Sequence, residues 1–385
     1  MSIFLRLFIL GICTSILPLF SENLTVIGVG RLGLTYSLCL EQAGHHVLGL
    51  DISPNYVMLL NEKTLQVREP GINEMLQKSR NFRATTNLKE ALDFADIYLI
   101  VVSTTTGTAG YHFEALSALL ADINAHRVSN KQIIIHSTVS PGYHHIAKAL
   151  LSNCENISLS YNPPFIAQGE IVKGLITPDL VLIGQESEEA GDLIESLHLS
   201  MLQNKPSIVR MSVESAEITK MALNSYITGK IAFANLVADI ADQTPGASKY
   251  DILKAIGSDS RVGSKYLNPG YGFGGPCFPR DNRTLSDYAD TLGIDPITFR
   301  ATDIANAQHA QFMAQQFIEQ NLTEYVFDDV SYKSNCPVKI IEESQKLAVA
   351  RLIAEQGKKV IIIDEPAVID AIKALYGDLF TYQPQ

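Results

Sequence analysis

The feature that most restricts this chain is Gly28-Val29-Gly30-Arg31-Leu32-Gly33, set between an apolar run, Leu24 to Val29, and a helical pattern, Leu34 to Ala43. The run reads as a buried strand. The first glycine permits a tight turn, the second lets backbone approach a pyrophosphate, and the third lets the helix pack closely on the strand. The helix N-terminus then faces the anion. Glycine turns of this kind also occur as plain structural turns in unrelated α/β proteins. Asp51 weighs toward a dinucleotide: it lies 18 residues past Gly33, at the end of a second predicted strand, Val47 to Leu50. Its carboxylate suits a ribose diol and repels a 2′-phosphate, which favours NAD over NADP.

Further short apolar runs, Ile97 to Val102, Gln132 to His136 and Leu180 to Gly184, alternate with helical stretches such as Phe113 to Ala125. Strands alternating with helices imply a doubly wound parallel sheet of Rossmann type. Residues 23–205 are expected to form this domain. Ser212 or Ser215 then caps a long helical pattern reaching about Ala241. Helices from Lys249 to Gly257 and from Arg300 to about Gln320 complete a central helical domain over residues 206–321. Residues 322–385, with a helix from Gln345 to Gln356 and a strand from Val360 to Asp364, make a short C-terminal α/β remnant.

A chain of 385 residues is long for a single core and accommodates these parts. A net charge of −11 argues against nucleic acid as a partner. The five cysteines are scattered, form no CxxC pair, and imply neither a metal site nor a disulfide framework. Residues 1–22 read as a hydrophobic leader, with Leu7 to Phe20 almost wholly apolar. That run suits a signal-peptide core, a loose extension or a misassigned start. A cytoplasmic location is the expectation, because a nicotinamide enzyme needs a soluble cofactor pool; a signal or anchor stays open.

Two further segments carry chemistry. In Gly272-Phe273-Gly274-Gly275-Pro276-Cys277-Phe278-Pro279-Arg280-Asp281, the glycines let backbone amides crowd a ligand and leave the thiol accessible. Asp281 falls one turn past Cys277 if a helix starts there. A lone cysteine is otherwise more often a buried structural thiol. On the long central helix, Lys220 and Asn224 stand at i and i+4 and share a face. A cation and an amide donor there suit a developing oxyanion; a solvated lysine is the plain alternative.

Together these segments resemble the UDP-glucose/GDP-mannose dehydrogenase family. The resemblance runs from Asn23 to about Asn306 and includes Arg68-Glu69-Pro70-Gly71, Ser137-Thr138-Val139, Asn162-Pro163 and Arg261-Val262-Gly263. It implies NAD as cofactor, with Gly28, Gly30, Arg31, Leu32, Gly33, Asp51, Thr104, Thr138 and Arg280 around it. It implies a nucleotide-sugar substrate, UDP-glucose ahead of GDP-mannose or a UDP-N-acetyl-hexosamine. Lys220, Asn224, Arg261, Lys265, Tyr266, Phe273, Gly274 and Lys333 would contact that substrate, and Leu267 lies in the same loop. Cys277 matches the family nucleophile. Lys220 and Asn224 match its oxyanion and water-holding residues, Asp281 its supporting acid, and Thr138 the threonine beside the nicotinamide. Arg261 would reach the site of a neighbouring subunit, so a homodimer or higher homo-oligomer through the central helix is implied. The expected reaction is a two-step oxidation of a primary alcohol to a carboxylate, and a turnover-deficient binding homologue is the alternative.

The departures bear on mechanism. Where the family has Asn-Pro-Glu-Phe-x-x-Glu-Gly, this chain reads Asn162-Pro163-Pro164-Phe165-Ile166-Ala167-Gln168-Gly169. Both glutamates are gone, and Glu170 is the nearest substitute. Tyr332-Lys333 stands for a Phe-Lys pair, and Glu342 takes the place of an arginine before Glu343-Ser344.

Overall fold

The computed structural model describes residues 21–385, residues 105, 108 and 109 apart, so most of the expected leader lies outside the described residues. Strands β1 (Asn23–Ile27), β2 (His46–Leu50), β3 (Phe82–Thr85) and β4 (Ile97–Ile100) come first. A two-stranded hairpin, β5 (Thr106–Gly107) and β6 (Gly110–Tyr111), leaves the main sheet. Strands β7 (Gln132–Ile135), β8 (Ser158–Tyr161), β9 (Leu180–Gln185) and β10 (Ser207–Ser212) complete an eight-stranded sheet of order β10-β9-β8-β7-β4-β1-β2-β3. The strands from β3 to β8 in that order are parallel, while β9 and β10 run together in the opposite sense.

Alternation along each strand divides the apolar residues between two faces. Helices α1 (Arg31–Gln42), α2 (Pro54–Asn61) and α3 (Ile72–Lys78) cover one face. Helices α4 (Leu88–Phe94), α5 (Glu114–Ala125) and α6 (Tyr143–Leu150) cover the other. Helices α7 (Ile171–Ile176) and α8 (Glu188–Met201) return to the first. Val26, Leu99 and Ile134 point to the first core, and Ile27, Tyr98 and Ile135 to the second. The sheet is therefore doubly wound, as expected.

The strand Ser207–Ser212 extends the main sheet a few residues past Lys205. It pairs with β9 and forms the sheet edge. No fully buried residue falls within it, so it carries no apolar run to betray it. Strands β3 and β8 escaped notice for a similar reason: Arg83, Ser158 and Ser160 interrupt their apolar residues.

Helix α9 (Val213–Asp242) begins at Ser212, whose hydroxyl accepts from the Ser215 amide at 3.2 Å. It packs against α10 (Lys249–Ser258), α11 (Phe278–Thr291) and α12 (Ile297–Glu319). A parallel three-stranded sheet ends the chain: β11 (Tyr325–Asp328), β12 (Val360–Asp364) and β13 (Thr381–Pro384), with α13 (Gln345–Glu355) and α14 (Pro366–Tyr376). Its core takes in Ala310 and Ala314 of α12, which joins it to the helical part. Among the described residues, no helix is long and apolar enough to cross a membrane.

Two buried histidines tie the sheet to α1 and α8. The His198 imidazole Nε2 donates to Asn162 Oδ1 at 2.7 Å, and His136 Nδ1 to the Asn162 carbonyl. Among the described residues their other ring nitrogens have no partner, so protonation would bury an unpaired charge. Burial holds His136 near pH 3 and His198 near pH 4, far below a free histidine. Glu217 acts in the opposite sense. Its carboxylate accepts from the Gly142 and His144 amides at 2.7 and 2.8 Å, yet burial pushes it up to about 7. The histidines' stability is present above the unfolded histidine pKa and lost as pH falls below about 6.5. Glu217 keeps its proton only in the folded state between its unfolded pKa and about 7, so its contribution falls as pH rises through that window. Between about pH 5 and 6.5 these two histidines take up two protons on unfolding and Glu217 releases one. We expect Glu217→Gln, which cannot titrate, to steepen the acid loss of stability by about one proton, about 1.4 kcal/mol per pH unit. Urea denaturation at a series of pH values measures it; equal slopes in parent and variant would show that Glu217 is already ionised.

Candidate active site

The glycine turn ends β1 at the carboxyl edge of the sheet, where the order reverses between β2 and β4. Such a switch point leaves a crevice for a dinucleotide. Gly28 has a φ of +90°, and a Cβ there would meet the Val101 carbonyl at 2.7 Å. A Cβ on Gly33 would stand 1.9 Å from the Gly28 carbonyl, so α1 seats on β1 only because the side chain is missing. Open space surrounds Gly30, and no side chain caps α1, which leaves its first amides for a phosphate. Asp51 follows β2, with Oδ1 accepting from the Ser53 amide at 3.1 Å. Thr104 and Thr138 follow β4 and β7 at the same edge. These residues fit NAD. The Leu32 side chain packs on the first core, which leaves its backbone amide in the first turn of α1 for the ligand.

The helical part brings the second group together. Cys277 is the N-cap of α11, and Asp281 lies one turn on, its amide donating to the Cys277 carbonyl at 2.9 Å. Asn224 Nδ2 donates to Asp281 Oδ2 at 2.6 Å. The Lys220 ammonium, buried rather than solvated, donates to the Pro164 carbonyl at 2.9 Å and lies 4.4 Å from the Phe165 ring centre. The Cys277 thiol is open to solvent on one side while protein surrounds it on the others. That enclosure and the Asp281 charge push it above the usual thiol range, although Lys220 and Arg280 pull the other way. Lys220 favours the thiolate, but desolvation outweighs it. Burial likewise raises the Asp281 carboxyl against the pull of Lys220 and its hydrogen-bond donors.

Tyr111, which sequence reasoning missed, donates its hydroxyl to Asp281 Oδ1. No local pattern marks it. Gln168 was seen only as a lost glutamate, but its Oε1 accepts from Arg31 Nη1 at 2.6 Å, which ties the glycine turn to the 162–171 segment. The Glu69 carboxylate fixes the same segment through the Gly169 and Ile171 amides at 2.9 and 2.7 Å. Lys333 reaches Glu170 at 3.0 Å, and Glu170 also pairs with Lys173. These two lysines occupy Glu170 and hold it below the usual carboxylate range.

Arg280 pairs with Glu342 at 3.0 Å, the position where a cation was expected. A cleft of about 430 Å³ opens there, lined by Gly275, Arg280, Arg283, Glu342, Gln345 and Arg351 among others. Gly274 packs against the Glu343 carbonyl, and buried Phe273 is held by Asn306 through its amide and carbonyl at 2.9 and 3.0 Å. Tyr266 meets Phe278 edge to face at 6.3 Å. Two expected substrate contacts stay apart from this group within one chain. Arg261 is exposed and paired with Asp259 at 2.7 Å, and Lys265 with Asp179 at 3.0 Å.

A dinucleotide crevice beside a cysteine, a buried lysine and an acid defines a nicotinamide-dependent dehydrogenase with a thiol at its centre. Family models for the NAD-binding and central domains of the UDP-glucose/GDP-mannose dehydrogenases match residues 22–202 and 214–308. The chain belongs to that family, and NAD is its cofactor. The UDP-glucose 6-dehydrogenase of Rickettsia conorii is 31% identical over 76% of this chain and 68% of its own. The GDP-mannose 6-dehydrogenase of Pseudomonas syringae pv. syringae is 25% identical over 89% and 80%. A UDP-glucose dehydrogenase from Pyrobaculum islandicum is similar in structure with a TM-score of 0.85, at 26% identity, over 95% of this chain and 86% of that one. The chain spans about two thirds of the length of the first curated relatives it matches.

The Asp51 placement generates a test. We expect catalytic efficiency with NAD to exceed that with NADP at least about tenfold, some 1.4 kcal/mol, because the carboxylate meets the 2′-phosphate at short range. Initial rates with both cofactors decide it, and equal efficiency removes Asp51 from the ribose.

Proposed function

We propose that this protein oxidises the C6 alcohol of UDP-glucose to the carboxylate of UDP-glucuronate, through a covalent intermediate on Cys277. The observation that carries the reading is the convergence of Cys277, Lys220, Asn224 and Asp281 from two helices on one point. NAD, when bound, would supply the hydride acceptor, one molecule for each of the two oxidations. The Cys277 sulfur gives up its proton and bonds to the aldehyde carbon, making a thiohemiacetal that is oxidised to a thioester. Lys220 and Asn224 each spend one N–H on the protein and keep another for the oxyanion. Each such donor contributes about 3 kcal/mol. In hydrolysis, water bonds to the thioester carbon, its proton passes to Asp281, and the C–S bond breaks to free the thiolate. Thr138 follows β7 at the cofactor edge, and Arg280 lies near Cys277 and Asp281. Tyr266, Phe273, Gly274 and Lys333 hold the nucleotide sugar, Lys265 joins them on leaving Asp179, and Arg261 reaches the site of a neighbouring copy. The names of the relatives support UDP-glucose. NADH formation with UDP-glucose, GDP-mannose and UDP-N-acetyl-hexosamines tests it; a preference for another sugar, or no NADH with any, overturns the substrate assignment.

Cys277→Ser should abolish acid formation and leave nucleotide-sugar binding nearly unchanged, since a hydroxyl is far less ionised than a thiol. Acid made at the parent rate would take Cys277 out of the mechanism.

Hydrolysis should limit turnover. Pro164 offers only a carbonyl, which Lys220 occupies, and Gln168 cannot titrate. General-base assistance is worth roughly 10²–10⁴-fold. A rapid burst of about two NADH per site, a slow steady rate and a sugar adduct on acid-quenched Cys277 are the expected signature. Pro164→Glu should raise the steady rate without changing the burst. Turnover with neither burst nor adduct would show that hydrolysis is already fast.

A further inference from the structure

Asp281 is 1% exposed, yet two distant parts of the molecule reach it. Asn224 of α9 donates to one carboxylate oxygen at 2.6 Å, and the Tyr111 hydroxyl of β6 donates to the other. Tyr111 is fixed at both ends. Its ring stacks on Phe113 at 6.2 Å with planes 13° apart, and the Arg280 guanidinium lies 5.1 Å from its centre. The hairpin that carries it belongs to the connection after β4, which also supplies Thr104 at the cofactor edge. One segment therefore links the cofactor side of the site to its acid.

We propose that Tyr111 is a positioning residue for the hydrolytic step, fixing the rotamer and the negative charge of Asp281 beside Cys277. The inference rests on the function proposed above. Its chemical reason is local. A carboxylate this deep tends to take up a proton and then no longer accepts one from water. A phenol that donates to the carboxylate favours the ionised form, and it does so without adding a second charge. Other groups facing Asp281 are Lys220 and Asn224 from α9, Cys277 and Arg280 at the start of α11, and Tyr161 from β8. Lys220 is engaged by the Pro164 carbonyl and Arg280 by Glu342. With no carboxylate at positions 164 and 168, Asp281 is the buried carboxylate beside the sulfur, while Glu342, whose charge also reaches the thiol, is engaged by Arg280; the charge state of Asp281 then sets the hydrolysis rate.

Tyr111→Phe keeps the ring against Phe113 and Arg280 and removes only the hydroxyl. In the full-length enzyme we expect an unchanged NADH burst, an unchanged KM for the sugar and a steady rate roughly tenfold lower at the acid end of the pH range. The acid limb of kcat should move up by about one pH unit. A second readout needs no turnover. The rate of Cys277 alkylation by iodoacetamide, followed by mass spectrometry of its peptide, should show a step where Asp281 ionises, because that charge disfavours the thiolate. The step should move to higher pH in Tyr111→Phe. It should vanish in Asp281→Asn, where adding Tyr111→Phe should change nothing. An alkylation step at the same pH in parent and Tyr111→Phe overturns the proposal, as does an equal displacement in the Asp281→Asn background. A chain that oxidises no nucleotide sugar but shows the displaced step keeps this role for Tyr111 and loses the proposed function. One that turns over with an undisplaced step does the reverse.

Discussion

The rest of the site depends on a carboxylate held where water hardly reaches. Asp281 sits in the first turn of α11 and takes donors from α9 and from the β5–β6 hairpin. Burying such a charge costs several kcal/mol unless its lone pairs are met. The groups that meet them come from the hairpin after β4 and the long helix, so the cost itself holds those parts in register. The same enclosure explains the Cys277 thiol. Cations stand near it, yet desolvation and the adjacent carboxylate push it above the usual thiol range. A substrate that excludes the Asp281 charge or brings its own donor would change that balance.

The 162–171 segment is the second constraint. It carries little regular structure, but each of its anchors comes from a different part of the chain. Glu69 grips it from the turn before α3, Arg31 from the start of α1, Lys220 from α9 and Lys333 from the C-terminal unit. A polar segment with its backbone groups met by side chains can be rigid without being a helix or strand. Replacing two glutamates by Pro164 and Gln168 therefore changes the chemistry of the site more than its shape. Proline keeps the carbonyl that Lys220 uses, and glutamine keeps the oxygen that Arg31 uses.

Much of this was legible in the sequence, for a definite reason. The glycine turn, the helix beginning at Cys277, the Lys220/Asn224 face and the Ser212 cap all involve residues a few positions apart. Backbone sterics and helical period act over that range. The order of apolar runs was enough for a doubly wound sheet. The edge strand Ser207–Ser212 was not legible, since it buries little and has no apolar pattern. The C-terminal unit read as a remnant because part of its core, Ala310 and Ala314, belongs to α12.

By itself the sequence determined the local geometry and the residues able to do chemistry: the turn that seats a pyrophosphate, the thiol, and the cation and amide on one helix face. Tertiary structure alone decided what those residues touch. Tyr111 and Asp281 are 170 positions apart, Arg31 and Gln168 are 137, and Lys220 and Pro164 are 56. Nothing in a local pattern specifies such pairs, because they follow from how a sheet, a long helix and a hairpin pack. The protonation of Cys277 and Asp281 was decided at the same level, since desolvation and charge act through space and not along the chain.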